Sequence, residues 1–166
     1  MRRLLAFAIS MLAFGCGAPE PVKPDPAPPA SAKVESLPIQ FVPAPDAGEV
    51  KAQVQAEYQK AKAEGRQLLV YVGAKWCEPC QRFHDAATAG KLNDAFPGVR
   101  LVEYDLDRDR DRLIDAGYGS KMIPLFALPR EDGAPAGPRI EGSIKGPGAV
   151  AQITPRLREV LAGRSP

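Results

Sequence analysis

The chain has 166 residues, 45% apolar and 25% charged, ordinary values for a soluble globular protein. Its 18 prolines are not ordinary: nine fall between Pro19 and Pro45, a stretch that cannot be core, so the folded unit is smaller than the chain. The formal charge of +2 falls to balance if Arg2 and Arg3 leave with a leader, and at the level of net charge this excludes a basic nucleic-acid footprint.

Arg2 and Arg3 precede an apolar run, Leu4–Phe14, broken only by Ser10. Eleven helical residues span roughly 17 Å against about 30 Å of hydrocarbon, too short for a transmembrane helix and right for the apolar heart of a signal peptide. No later run in the sequence is long enough to cross a bilayer, so the reading is export. The segment Leu12-Ala13-Phe14-Gly15-Cys16 resembles the lipobox of bacterial lipoproteins. That resemblance implies a signal peptide over residues 1–15 and a lipid on Cys16, with the protein facing the periplasm. Gly17 stands where inner-membrane lipoproteins often carry Asp, which favours the outer membrane. Cleavage after Ala18, discarding Cys16, is the alternative.

Residues 16–45 form a Pro-rich linker. Residues 17–45 hold a single aromatic, Phe41, and show no helical or strand period, so they read as a polyproline II leash reaching roughly 90 Å. The compact domain is expected over residues 46–166. Val50, Val54, Tyr58 and Ala61 recur at helical spacing, with Asp46 as N-cap and Gly65 as stop. Gln67–Gly73 is a short apolar run suited to a buried central strand. A helix follows from Glu78 to about Asn93, interrupted at Gly90. Val99–Asp105 is the next strand, and Arg108–Ala116 a short helix inside a solvated Asp/Arg run. Ile123–Leu128 and Pro138–Ile144 form a hairpin around Glu131-Asp132-Gly133. Val150, Ile153, Leu157, Val160 and Leu161 line a closing helix, bent or restarted at Thr154-Pro155. Tyr104 and Tyr118 are core candidates. The alternation of helices and strands predicts an α/β fold, a mixed β-sheet with helices on both faces.

The chemistry concentrates in Trp76-Cys77-Glu78-Pro79-Cys80. Two cysteines at this spacing, at a helix start, suit reversible disulfide exchange. The second thiol reaches the first within one turn, and the helix N-terminus offers partial positive charge to a Cys77 thiolate. Cys80, one turn in and more buried, is the expected resolving thiol: Cys77 attacks a target disulfide, and Cys80 releases the product.

The run Leu68-Leu69-Val70-Tyr71-Val72-Gly73-Ala74-Lys75-Trp76-Cys77-Glu78-Pro79-Cys80 resembles the strand and active-site turn of the thioredoxin superfamily. Ile123-Pro124 is similar to its cis-proline loop, which packs beside the disulfide and pairs with substrate chain. Gly142 and Gly146 also fit. The resemblance covers about residues 46–162 and implies a thioredoxin fold. Cys80-Gln81-Arg82-Phe83 and Asp105-Leu106-Asp107 are similar to envelope reductase domains such as the C-terminal domain of the DsbD electron transporter. The sequence also departs from the pattern. Tyr71 stands where many thioredoxins bury an Asp that assists proton transfer to the resolving cysteine, and Glu103 replaces the Lys that often partners it. That proton step then falls to another group, with Glu78 or water as candidates. Glu78, in place of the usual Gly, should raise the Cys77 pKa. The intervening pair lacks the His of strongly oxidising relatives, and Ile123 before the proline resembles reductases.

These readings predict a periplasm-facing protein-disulfide reductase. Trp76, Glu78 and Pro79 shape the site, and Ile123 and Pro124 bind substrate. No organic cofactor and no metal are expected, since electrons travel through the Cys77–Cys80 pair. The expected partners are envelope proteins with disulfides, an inner-membrane thiol donor and the membrane reached through the N-terminal lipid, with no nucleic acid. Two rivals belong to other classes: a non-catalytic peptide-binding module on the same scaffold, and a Cu(I) site built from Cys77, Cys80 and His84.

Overall fold

A computed structural model describes residues 37–166. The signal peptide, the lipobox with Cys16 and the leash up to residue 36 lie outside the described residues. Nine elements follow in order: β1 (Gln40–Pro43), α1 (Val50–Ala63), β2 (Gln67–Gly73), α2 (Glu78–Thr88), β3 (Val99–Asp105), α3 (Leu106–Asp115), β4 (Leu125–Pro129), β5 (Pro135–Glu141) and α4 (Ala149–Leu161). They build a five-stranded sheet in the order β1-β3-β2-β4-β5. β1, β3 and β2 run parallel, while β4 is antiparallel to β2 and to β5.

Strand β2 holds the centre because Leu68 to Gly73 is buried throughout, as a strand covered on both faces requires. Side chains alternate between faces along each strand. Tyr71 and its register partners Glu103 and Phe126 share one face, where Phe83 of α2 meets Phe126 with ring centroids 4.7 Å apart. Helix α4 packs beside α2 on this side and seals it with Ile153 and Leu157. Tyr104 points the other way, its hydroxyl donating to Gln53 Oε1 of α1 at 3.2 Å, with the Arg112 guanidinium of α3 over its ring. Helices thus cover both faces, as the sequence predicts, and Tyr104 and Tyr118 are core.

The structure corrects several expectations. Gln40–Pro43, read as leash, is an edge strand in register with Arg100–Glu103. Four residues between Pro38 and Pro45 are too few to display a period, and Pro43 is tolerated because the edge asks for no donor there. Residues 37–44 are tied down along their length: Leu37 O accepts from Gly98 N, Ile39 N donates to Asn93, and Ala44 N donates to Glu103 O. Glu49, not Asp46, is the N-cap of α1, and Asp46 instead pairs with Arg108. Helix α2 ends at Thr88, five residues early, where Gly90 takes φ 75°. The β4–β5 hairpin starts two to three residues away from the expected bounds on each strand, with a register shift between Ala127 and Pro129. Its turn is Gly-dependent: a Cβ on Gly133 (φ 78°) would lie 2.0 Å from Lys51 O, so the turn packs directly under α1. Helix α4 runs unbroken through Pro155.

The Asp/Arg run is not a uniformly solvated face. Asp109 is fully buried at 0% exposure, its carboxylate accepting from Arg108, Arg112 and Asp105 N. The same two arginines reach Ala44 O, Pro45 O and Gly48 O, so one buried carboxylate fastens the β1–α1 connection to α3. No helix among the described residues is long and apolar enough to cross a membrane.

Candidate active site

Strand β2 ends at Gly73, the chain turns through Ala74-Lys75-Trp76, and α2 begins, which places Cys77 at the helix N-cap. Cys77 and Cys80 form a disulfide with Cα atoms 5.2 Å apart. Cys77 N donates to Ala74 O at 3.1 Å, and Cys77 Sγ accepts from Cys80 N at 3.3 Å. This first sulfur therefore sits against a free N–H of the helix start, where negative charge is favoured. Pro79 falls within the first turn, where its missing N–H costs nothing. Burial separates the two cysteines little, at 4% for Cys77 and 2% for Cys80, so the expected asymmetry rests on the cap contact.

Trp76 is 64% exposed beside Cys77, and its indole N–H donates to Asp107 Oδ2 of α3 at 2.8 Å. The Ile123–Pro124 bond is cis, and Pro124 opens β4 next to β2. Pro124 O accepts from Gly142 N at 3.0 Å, and a Cβ on Gly142 would meet Met122 Cβ at 3.0 Å, which joins the cis-proline loop to the end of β5. Ile123 is buried, whereas Met122 and Ile144 are largely exposed, as Trp76 is.

Glu78 is engaged at both carboxylate oxygens. Its carboxylate pairs with Arg82 and accepts from Gly146 N at 3.0 Å, linking the first turn of α2 to the β5–α4 loop. The Arg82 hydrogen bond, then the Gly146 N–H, hold it below the usual carboxylate range, so it stays ionised. His84 stacks on Phe41 with centroids 4.3 Å apart, and its Nε2 lies 3.9 Å from Glu103 Oε2. Among the described residues no group of three or more His, Cys, Asp or Glu side chains is arranged to hold a metal ion.

A parallel β1-β3-β2 core with an antiparallel β4–β5 hairpin, a Cys-x-x-Cys disulfide at the start of α2 and a cis-proline opening β4 is the thioredoxin arrangement. Residues 49–128 match the thioredoxin-like family. The chain has a thioredoxin fold. Among solved structures, the Fasciola hepatica thioredoxin is similar at 22% identity over 69% of this chain and 93% of that one, with a TM-score of 0.46. A poplar thioredoxin h is similar at 18% identity over 61% and 81% of the two chains, with a TM-score of 0.39. A Trichomonas vaginalis thioredoxin reaches 24% identity over 57% and 77%, with a TM-score of 0.36. No curated protein matches the chain. A thioredoxin fold carrying the Cys77–Cys80 disulfide at Cys-x-x-Cys spacing supports thiol–disulfide oxidoreductase chemistry in general.

Two features of the site were invisible in the sequence. The Trp76–Asp107 and Glu78–Gly146 contacts join residues 31 and 68 positions apart, and no local pattern announces either pairing.

Proposed function

We propose that this protein is a lipid-anchored, periplasm-facing oxidoreductase that reduces disulfides in envelope proteins. The observation that carries the reading is Cys77 Sγ at the N-cap of α2, accepting the Cys80 N–H and following the exposed Trp76, on a fold that also holds a cis Ile123–Pro124 bond. Cys77 attacks the client disulfide, and Trp76, Pro79, Ile123 and Pro124 orient the client chain. Cys80 then attacks Cys77 Sγ in the mixed disulfide and releases the second client thiol. No organic cofactor takes part, since both electrons come from the cysteine pair. An inner-membrane thiol donor recharges it. The lipid on Cys16 holds the protein in the envelope, at the outer membrane, and the Pro-rich segment extends its reach.

The reducing direction follows from Glu78. An ionised carboxylate at the first turn opposes the charge of a Cys77 thiolate, and Arg82 offsets only part of it. Strong oxidants stabilise their reduced form, which this arrangement does not favour. The test equilibrates the full chain against glutathione and dithiothreitol buffers. A potential near or below about −220 mV supports reduction, whereas one near about −120 mV reverses the direction. In the same preparation Cys80→Ala should accumulate mixed disulfides with disulfide-bearing proteins. If no covalent adduct forms, the chain is a binding module instead.

A further inference from the structure

Resolution of the mixed disulfide needs a proton acceptor, because Cys80 is 2% exposed and attacks only as thiolate. A cleft of about 380 Å³, open to solvent, reaches Cys80 from the β1–β3 side of the sheet. Besides Cys80, its charged and titratable groups come from every element around it: Tyr71 of β2, Lys75 of the active-site turn, His84 and Asp85 of α2, Glu103, Asp105 and Tyr104 of β3 (the last with its hydroxyl turned to Gln53), and Arg108 of α3. Most are unsuited to take a proton. Lys75 and Arg108 carry donors only. Tyr71 is pushed well above the ordinary phenol range, by burial first and by the Glu103 charge second, and its hydroxyl donates to Cys80 O at 3.4 Å. Asp105 Oδ1 is committed to Asp107 N and Arg108 N at the start of α3. Asp85 is exposed at the rim.

Glu103 remains. It is the register partner of Tyr71 and so faces α2, half-buried in the cleft, with its Oε2 3.9 Å from His84 Nε2. Burial raises its pKa, the His84 charge lowers it in part, and Asp105 raises it further. We propose that Glu103 exchanges the proton of Cys80 through water in this cleft. The proposal rests on the oxidoreductase reading above. In the resolving step the Glu103 carboxylate takes the Cys80 proton, and Cys80 Sγ bonds to Cys77 Sγ. The Cys77–client S–S bond breaks, and the client leaves as thiolate to be protonated by solvent. In the recharging step a donor thiolate attacks Cys77 Sγ. Cys80 then leaves with the electron pair of the broken disulfide and takes the proton back from Glu103.

The test follows reduction of the oxidised full chain by dithiothreitol, read by the fluorescence of Trp76, the sole tryptophan. Rates are divided by dithiothreitol thiolate concentration, between about pH 5 and 9. The unaltered chain should be fast at low pH and slow through an inflection above the ordinary carboxylate range, as Glu103 loses the proton it donates. Glu103→Gln should remove the inflection and lower the acid-side rate by about 10- to 100-fold, at the lower end of general-acid effects. Glu103→Asp should keep the inflection, which guards against a merely misfolded Gln variant. His84→Gln should move the inflection upward, since the His84 charge lowers the Glu103 pKa. An unchanged profile in Glu103→Gln overturns the proposal, as does loss of the inflection in His84→Gln, which would make His84 the exchanging group. If the unaltered chain fails to exchange with dithiothreitol at all, the oxidoreductase reading itself falls.

Discussion

Glu78 shows how one contact changes the meaning of a motif residue. From its place between the cysteines it is a candidate proton carrier; in the fold both oxygens are engaged by Arg82 and Gly146 N, and its pKa is lowered. It is a clamp between α2 and the β5–α4 loop. Glu78→Ala should therefore leave the Cys77–Cys80 disulfide formed while hydrogen exchange at the Gly146 amide speeds up severalfold, and Glu78→Gln, which keeps an acceptor, should restore part of the protection. Unchanged exchange in the Ala variant would mean that the clamp contributes nothing in solution. The Cys77–Cys80 disulfide and the cis bond before Pro124 were legible in a run of five residues and one dipeptide. The clamp was not, since Gly146 is 68 residues from Glu78 and nothing local distinguishes its N–H.

At the scale of elements, α3 was located from sequence but misjudged in character. Alternating Asp and Arg reads as a solvated face, yet Asp109 is fully buried, and its arginine partners grip the β1–α1 connection. Burial alone would raise its pKa; hydrogen bonds from Arg108 and Arg112 outweigh that and lower it. A depressed folded-state pKa contributes stability above the unfolded value of about 3.9, lost as pH falls through the folded value. Asp109→Asn should cost about 3 kcal/mol, the order expected when one member of a buried pair is removed. It should also flatten the acid limb of the stability curve, as read by urea denaturation across pH. A loss below about 0.5 kcal/mol would place the cluster among surface pairs of little worth. Strands β2 and β3 were legible to the residue because each is a short run rich in β-branched, aromatic and Leu residues bounded by glycine or charge, while the hairpin drifted because Pro135 and Pro138 blur the start of β5. Helix caps drifted for a related reason: Asp46 is a good cap by type, but Arg108 holds it elsewhere.

For the whole molecule, the boundary of the folded unit matters most. A chain beginning at Asp46, the start expected from sequence, would lack β1, leave Arg100–Glu103 as an open edge and remove Gln40 from the buried Arg100. It would also strip Phe41 from His84 and Tyr71. A chain beginning at Leu37 should unfold at the same midpoint as the full protein, whereas one beginning at Asp46 should lose about 3 kcal/mol, the order of one large aromatic deletion, in a denaturant titration. Equal midpoints would show that β1 is dispensable. The strand also has a place in time. Among the described residues β1 is the first element made, and its sheet partner there, β3, lies 60 residues further along the chain. While the protein is being synthesised or threaded across a membrane, Gln40–Pro43 stays without its ladder until Arg100–Glu103 has emerged. Until then the segment is open to chaperones and proteases while the helices behind it are already taking shape.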